Sequence, residues 1–148
     1  MKTNRKSMVS KVFLDANILL DFTLKRANFD VARKLFEYIV NGKFSAFITP
    51  AILHIAAYWL AKAYGGEKAR TILQELLVDI RVIDAPHEIA LMALNSKFGD
   101  IEDALQYYTA LHHDMNAFVS GDAGLKKSAI SSLPVYTLKE FIYLLENQ

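Results

Sequence analysis

The chain has 148 residues, 53% of them hydrophobic, with 17 Lys and Arg against 16 Asp and Glu for a formal net charge of +1, and no cysteine. The charge balance excludes a global electrostatic drive toward nucleic acid, membrane or acidic partners, so any steering must come from local patches. The missing cysteine excludes disulfides, thiolate nucleophiles and cysteine-ligated metal clusters, as expected of a cytoplasmic protein, and no window approaches the ~20 apolar residues of a membrane span.

Size and apolar content are those of one domain, 1–148, with the basic stretch 1–10 as a flexible N-terminal segment and no membrane partner. The first element is VFLDA, a continuous apolar run of the kind a parallel strand makes when both its faces are covered. A short helix follows from about Asn17. FDVARKLFEYIVNG sets Val31, Leu35, Phe36, Ile39 and Val40 at helical spacing and stops at Gly42. FSAFI is a short strand, and Thr49-Pro50 is a cap followed by proline at the first helical position, opening the helix AILHIAAYWLAKAYG. GGEKARTILQELLVD is a second amphipathic helix, IRVID a strand, and PHEIALMALNSKF a helix that begins at a proline. DIEDALQYYTALHHD is a helix with Asp100 as its cap, NAFVSG and LPVYT are strands, and LKEFIYLLEN is the terminal helix. About five strands separated by helices predict an α/β fold, a three-layer α/β/α sandwich on a mostly parallel sheet with right-handed crossovers. Ligands bind such sheets at the carboxyl ends of the strands, near the point where strand order reverses.

Three aspartates fall where that rule places a site. Asp15 ends the first strand, Asp103 lies in the first turn of the helix after FGD, and Asp122 follows NAFVSG. Asp100 is three residues before Asp103, so a further carboxylate reaches the same region. Each acid alone also reads as an ordinary cap or turn former. Together they need a cation, a proton or water between them, because two carboxylates ~4 Å apart repel by roughly 4 kcal/mol at an effective dielectric near 20. Hard divalent ions take oxygen ligands, and Mg²⁺ keeps several waters while using one or two carboxylates. An ion held this way generates hydroxide and stabilises both oxygens of an in-line phosphoryl displacement.

These stretches, in this order, resemble the PIN domain family, which includes metal-dependent ribonucleases and the VapC-type toxins of toxin–antitoxin pairs. VFLDANILLDF resembles the family's first motif, a strand ending in Asp followed by x-Asn and an apolar run. IEDALQYYTA resembles the aspartate followed by Ala that opens a later helix, and FVSGDAGLKKSAI the strand, Ser or Thr, then Asp. With LPVYTLKEFI as the last strand and helix, the resemblance runs from about Lys11 to Leu145. It implies a Mg²⁺- or Mn²⁺-dependent ribonuclease that hydrolyses RNA phosphodiester bonds. Asp15, Asp103 and Asp122 would be both catalytic and metal-binding, Asp100 an accessory ligand, and Asn17, Ser120 and Thr49 supporting residues. RNA, an antitoxin protein and a second copy of the chain are the partners it implies.

At one place the chain departs from the family pattern. The family carries an acid on the helix that Thr49 opens here, and the register puts Ile55 at that place, beside His54. One acid fewer lowers the negative charge, so metal affinity should fall. The alternative is a catalytically degenerate PIN domain that binds RNA or a protein partner without cleavage. His54 itself reads as a helix histidine packed beside Leu53 and Ile55.

Lys25, Arg26, Lys126 and Lys127 flank the expected mouth of the site, where cations would hold RNA phosphates; solvated surface is the competing reading. Of the pairs Tyr58-Trp59 and Tyr107-Tyr108, one member each is expected in the core, and no platform for single-stranded bases is legible. His112-His113 beside Asp114 reads as a favourable helix-end charge rather than a metal site. Asp21 reads as surface or capping charge. A receiver-type phosphotransfer domain also carries acids at strand ends, but its paired early acids and late lysine are not evident here.

Overall fold

The computed structural model describes residues 9–148. The first strand, β1 (Lys11–Leu14), is an apolar run whose Val12, Phe13 and Leu14 are fully buried, as a central strand covered on both faces requires. Helices α1 (Ala16–Thr23) and α2 (Phe29–Val40) lead to β2 (Ser45–Ile48), and helices α3 (Pro50–Tyr64) and α4 (Gly66–Leu76) to β3 (Ile80–Val82). Helices α5 (His87–Leu94) and α6 (Ile101–His112) then precede β4 (Ala117–Val119), and the short α7 (Ala123–Ser128) precedes β5 (Val135–Tyr136) and the last helix, α8 (Leu138–Glu146). Every strand pairing among the described residues is parallel, in the order β3-β2-β1-β4-β5. This is the three-layer α/β/α architecture that the alternation of strands and helices predicts.

Local chemistry explains the boundaries. Thr49 caps α3 by accepting from the Ile52 amide at 3.2 Å, with Pro50 at the first helical position. Thr137 and Glu140 form a reciprocal capping box at the start of α8. Gly65, at φ +88°, lets α3 break sharply into α4, a backbone conformation that a side chain would oppose. Several boundaries differ from expectation, α5 among them, which ends at Leu94 where the sequence predicts a helix through Phe98. The first strand ends at Leu14, because Asp15 leaves the ladder to cap α1. The stretch after Asp122, to which the sequence pattern assigns no helix, winds into α7, because the Asp122 Oδ1 accepts from the Leu125 amide at 3.0 Å. Of the segment expected to be flexible, 1–8 lies outside the described residues. Ser10 is tied down, its amide and hydroxyl donating to Asn116 Oδ1 at 3.0 and 2.8 Å.

The chain steps outward from β1 to β2 to β3, then returns to place β4 on the other side of β1. That reversal opens a crevice at the carboxyl ends of β1 and β4. Beneath it the rings of Phe13 and Phe118 on those two strands stand 4.7 Å apart, and Tyr107 of α6 lies 5.9 Å from Phe118. The buried Tyr107 hydroxyl donates to the Leu133 carbonyl at 2.6 Å and accepts from the Ile130 amide at 2.9 Å. This anchors α6 one turn beyond Asp103. Tyr107→Phe leaves the buried Leu133 carbonyl and the partly buried Ile130 amide without this partner and is expected to cost about 1–3 kcal/mol. Chemical denaturation checks it, and an unchanged midpoint would remove Tyr107 as the anchor of α6.

Candidate active site

The crevice holds a cleft of about 710 Å³ at the switch point. Asp15, Asp21, Asp100, Glu102, Asp103 and Asp122 all line it. Four of these acids come to it through helix starts. Asp15 is the N-cap of α1, Asp100 of α6 and Asp122 of α7, while Asp103 sits in the first turn of α6. Capping and site formation are therefore one arrangement: each cap spends one oxygen on its helix, and the helix N-terminus brings partial positive charge to a carboxylate that also faces the cleft.

Asp15 is the most constrained. Its Oδ1 accepts from the Ala16 amide at 2.7 Å and its Oδ2 from the Ser120 hydroxyl at 2.8 Å. Ser120, buried at the end of β4, also accepts from the Asp122 amide at 3.1 Å. One hydroxyl thus joins the acids that follow the two central strands. On α6, the Asp100 Oδ1 accepts from the Asp103 amide at 2.9 Å. Asp103 faces Asp122 closely enough to share a hydrogen bond when protonated.

The electrostatics follow from this crowding. Burial pushes the Asp15 carboxyl up, opposed by the Ser120 and Ala16 hydrogen bonds and reinforced by Asp122 and Asp100. Asp103 is raised from 3.8 to about 7, first by desolvation, then by the charges of Asp122 and Asp100, its hydrogen bond to Asp122, and Asp15. A folded-state value above the unfolded one means the folded protein holds the proton more tightly. Its stability contribution is full below 3.8 and is lost as pH rises through about 7. The metal-free protein should therefore melt at a lower temperature above that window than within it, and Asp103→Asn should flatten the dependence. A pH series of thermal unfolding in chelator is the check; identical profiles for the two proteins would remove Asp103 as the titrating group.

The donor set suits a hard divalent cation: all oxygen, with no sulfur or imidazole among the lining groups. Among the described residues no three acids or histidines stand close enough to enclose a metal by themselves. An ion here would therefore keep waters, as Mg²⁺ does.

The remaining candidates divide. Asn17 lines the cleft, and its backbone and side-chain oxygens accept from Arg26 Nη2 at 3.2 and 3.1 Å. Thr49 lies behind it, buried, donating at 2.5 Å to Gln106 Oε1, and Gln106 is the residue that reaches the cleft. Of the four basic candidates only Arg26 lines the cleft. Lys126 is turned to Glu140, 2.5 Å away, which holds that carboxyl below its usual value. Lys25 lies 5.9 Å from the Phe29 ring, and Lys127 is exposed outside the lining. Helix and loop geometry, invisible in a run of letters, turns these three lysines away.

Three readings are corrected: that of Asp21, that of the Tyr58-Trp59 pair, and that of His54, which is exposed rather than packed beside Leu53 and Ile55. Asp21 is not a surface charge: it is 9% exposed, lines the cleft and pairs with Arg26 at 2.9 Å. The signal for it was a carboxylate inside the buried run Ile18, Leu19, Leu20, which had to be paired. Neither Tyr58 nor Trp59 is in the core; both are exposed, whereas Tyr107 is buried as expected. Ile55 is half-buried and lines the cleft, and His54 is exposed outside it. His113 contacts the Asp84 carbonyl through Nε2 at 2.5 Å, away from any acid cluster.

A family model described as PIN domain matches residues 11–124. Ribonuclease VapC1 of Aquifex aeolicus is 26% identical over 137 residues, covering 88% of this chain and 92% of that protein. Among solved structures, PAE2754 from Pyrobaculum aerophilum superposes with a TM-score of 0.67 at 16% identity, covering 94% of this chain and 97% of that one. VapBC2 from Rickettsia felis, solved bound to a DNA fragment from its promoter, superposes with a TM-score of 0.61 at 15% identity, covering 86% of this chain and 98% of the matched one. At those identities the two structures speak for the fold.

Proposed function

Since the chain belongs to the PIN domain family, we propose that it is a divalent-metal-dependent endoribonuclease of the VapC type, the toxin of a toxin–antitoxin pair. The observation that carries the reading is that Asp15, Asp100, Asp103 and Asp122 line one cleft at the switch point of the sheet. Asp15, Asp103 and Asp122 are the proposed holders of Mg²⁺ or Mn²⁺, with Asp100 as an accessory. When bound, such an ion lowers the pKa of a water and neutralises charge on the phosphoryl oxygens.

The protein's own groups do the rest. Ser120 and the Ala16 amide hold the Asp15 carboxylate in one orientation. Without metal the Asp103 carboxyl is raised to about 7, so near neutral pH it must release its proton before it can hold a cation. Arg26, exposed at the rim and anchored by Asp21 and Asn17, is the cation placed to meet an RNA phosphate. A second copy of the chain and a small antitoxin protein belong to the same proposal and rest on family membership alone.

Cleavage of a mixed RNA pool with Mn²⁺, and its loss on adding chelator, tests the reading. Cleavage that survives chelation sinks the metal-dependent mechanism. Ile55 in the cleft lining favours a second reading, a PIN domain that binds RNA without cutting it. Retained RNA binding with no cleavage at any metal concentration would select it.

A further inference from the structure

The α3 side of the cleft carries a feature that metal and phosphate binding leave unused. Ile52, Ile55 and Trp59, spaced one turn apart on α3, line the same cleft as the acids. Trp59 is 47% exposed and its neighbour Tyr58 55%, with the two rings edge to face at 5.1 Å. Lys62 stands 5.6 Å from the Tyr58 ring and 5.8 Å from the Trp59 ring, and among the described residues it makes no ion pair. An exposed tryptophan, a tyrosine and a cation on one helix face, continuous with a carboxylate cleft, form an amphipathic strip rather than a packed surface.

We infer that this strip is a stacking platform for a nucleobase of the RNA strand, next to the phosphate at the acids, with Trp59 as the side chain on which the base lies. The inference rests on the ribonuclease reading and adds to it which part of the substrate meets which wall. Single-stranded RNA presents flat apolar bases and charged phosphates alternately, and proteins meet them with aromatic faces beside cations. Here a cation held by the acids would attract the phosphate that the carboxylates alone would repel, Lys62 would meet the next phosphate, and the base between them would lie on Trp59. Ile55 contributes directly: an acid at that position would set a charge one turn from the indole, whereas isoleucine extends the apolar wall toward the centre of the cleft.

Trp59 is the only tryptophan in the chain, so its fluorescence reports this platform alone. The probes are a short oligoadenylate and an abasic oligomer of the same length, both with phosphorothioate linkages to slow turnover, in the presence of Mn²⁺. Oligoadenylate should quench Trp59 and the abasic strand should not. By anisotropy of labelled strands, Trp59→Ala should weaken oligoadenylate binding by about ten-fold, Trp59→Phe should retain most of it, and abasic binding should be the same in all three proteins. Unchanged oligoadenylate affinity in Trp59→Ala, or binding without quenching, would overturn the platform while leaving the ribonuclease reading intact. A change of oligomeric state in Trp59→Ala with unchanged RNA affinity would overturn it in favour of a contact between copies of the chain. No binding of either strand to the wild-type protein would overturn the ribonuclease reading itself, and the platform with it.

Discussion

Asp15→Asn is expected to lower RNA cleavage by at least about a hundred-fold and to abolish Mn²⁺ binding measurable by calorimetry, while leaving the protein folded. The substitution is close to isosteric, and the surrounding hydrogen bonds accommodate it. The asparagine oxygen can still accept from the Ala16 amide, and the Ser120 hydroxyl, a donor to Asp15 in the wild type, can turn to accept from the new amide. What disappears is one negative charge at the centre of the acid group. That loss has a second consequence: Asp103, raised to about 7 partly by Asp15, should titrate lower in the variant, and the metal-free protein should become no less stable. Ser120→Ala frees the Asp15 carboxylate without removing it, so a smaller loss of about ten- to a hundred-fold is expected. Cleavage equal to wild type in Asp15→Asn would place the chemistry elsewhere in the molecule.

Ile55→Glu should tighten Mn²⁺ binding by about ten-fold, equivalent to ~1.4 kcal/mol. The argument is geometric. Ile55 lines the cleft with Asp15 and Asp103 and is only half-buried, so a carboxylate there keeps access to water and need not be forced into the core. Without metal the same charge adds to the repulsion that already raises Asp15 and Asp103, so the variant should melt lower than wild type in chelator. With Mn²⁺ the order should reverse, because a tighter ligand stabilises the folded state by mass action. Calorimetry and thermal unfolding with and without Mn²⁺ read both effects. A folded variant whose Mn²⁺ affinity matches wild type would show that the side chain at this position does not reach the ion.

Sequence reading and structure part company at particular side chains. The strands were legible because VFL, SAFI and AFV are apolar on both faces, which only a covered parallel sheet tolerates. Asp15, Asp100, Asp103 and Asp122 were legible because strand ends and helix starts are where topology concentrates carboxylates. Asp21 was misread because its partner Arg26 lies beyond the end of α1, and nothing in local spacing says that the chain turns back to bring them together. The pairing of Lys126 with Glu140 of α8 was likewise not legible, because the loop and strand between them set it rather than local spacing. Trp59 was misread because Tyr58 and Trp59, adjacent in an apolar helix, looked like a pair of which one must be buried, whereas the buried stripe of α3 is Ile52, Ala56 and Leu60.

The amino-acid order alone determined the layer architecture and the caps at Thr49 and Asp100, because burial periodicity and capping are local and each element writes them into its own residues. Which charges meet was decided only by the tertiary structure. The return of the chain from β3 across β1 to β4 brings Asp15 and Asp122 within reach of one Ser120 hydroxyl and sets Ile55 and Trp59 on the wall of the acid cleft. Those contacts join residues far apart in the chain, and their energies depend on distance and burial, which no local pattern of residues carries.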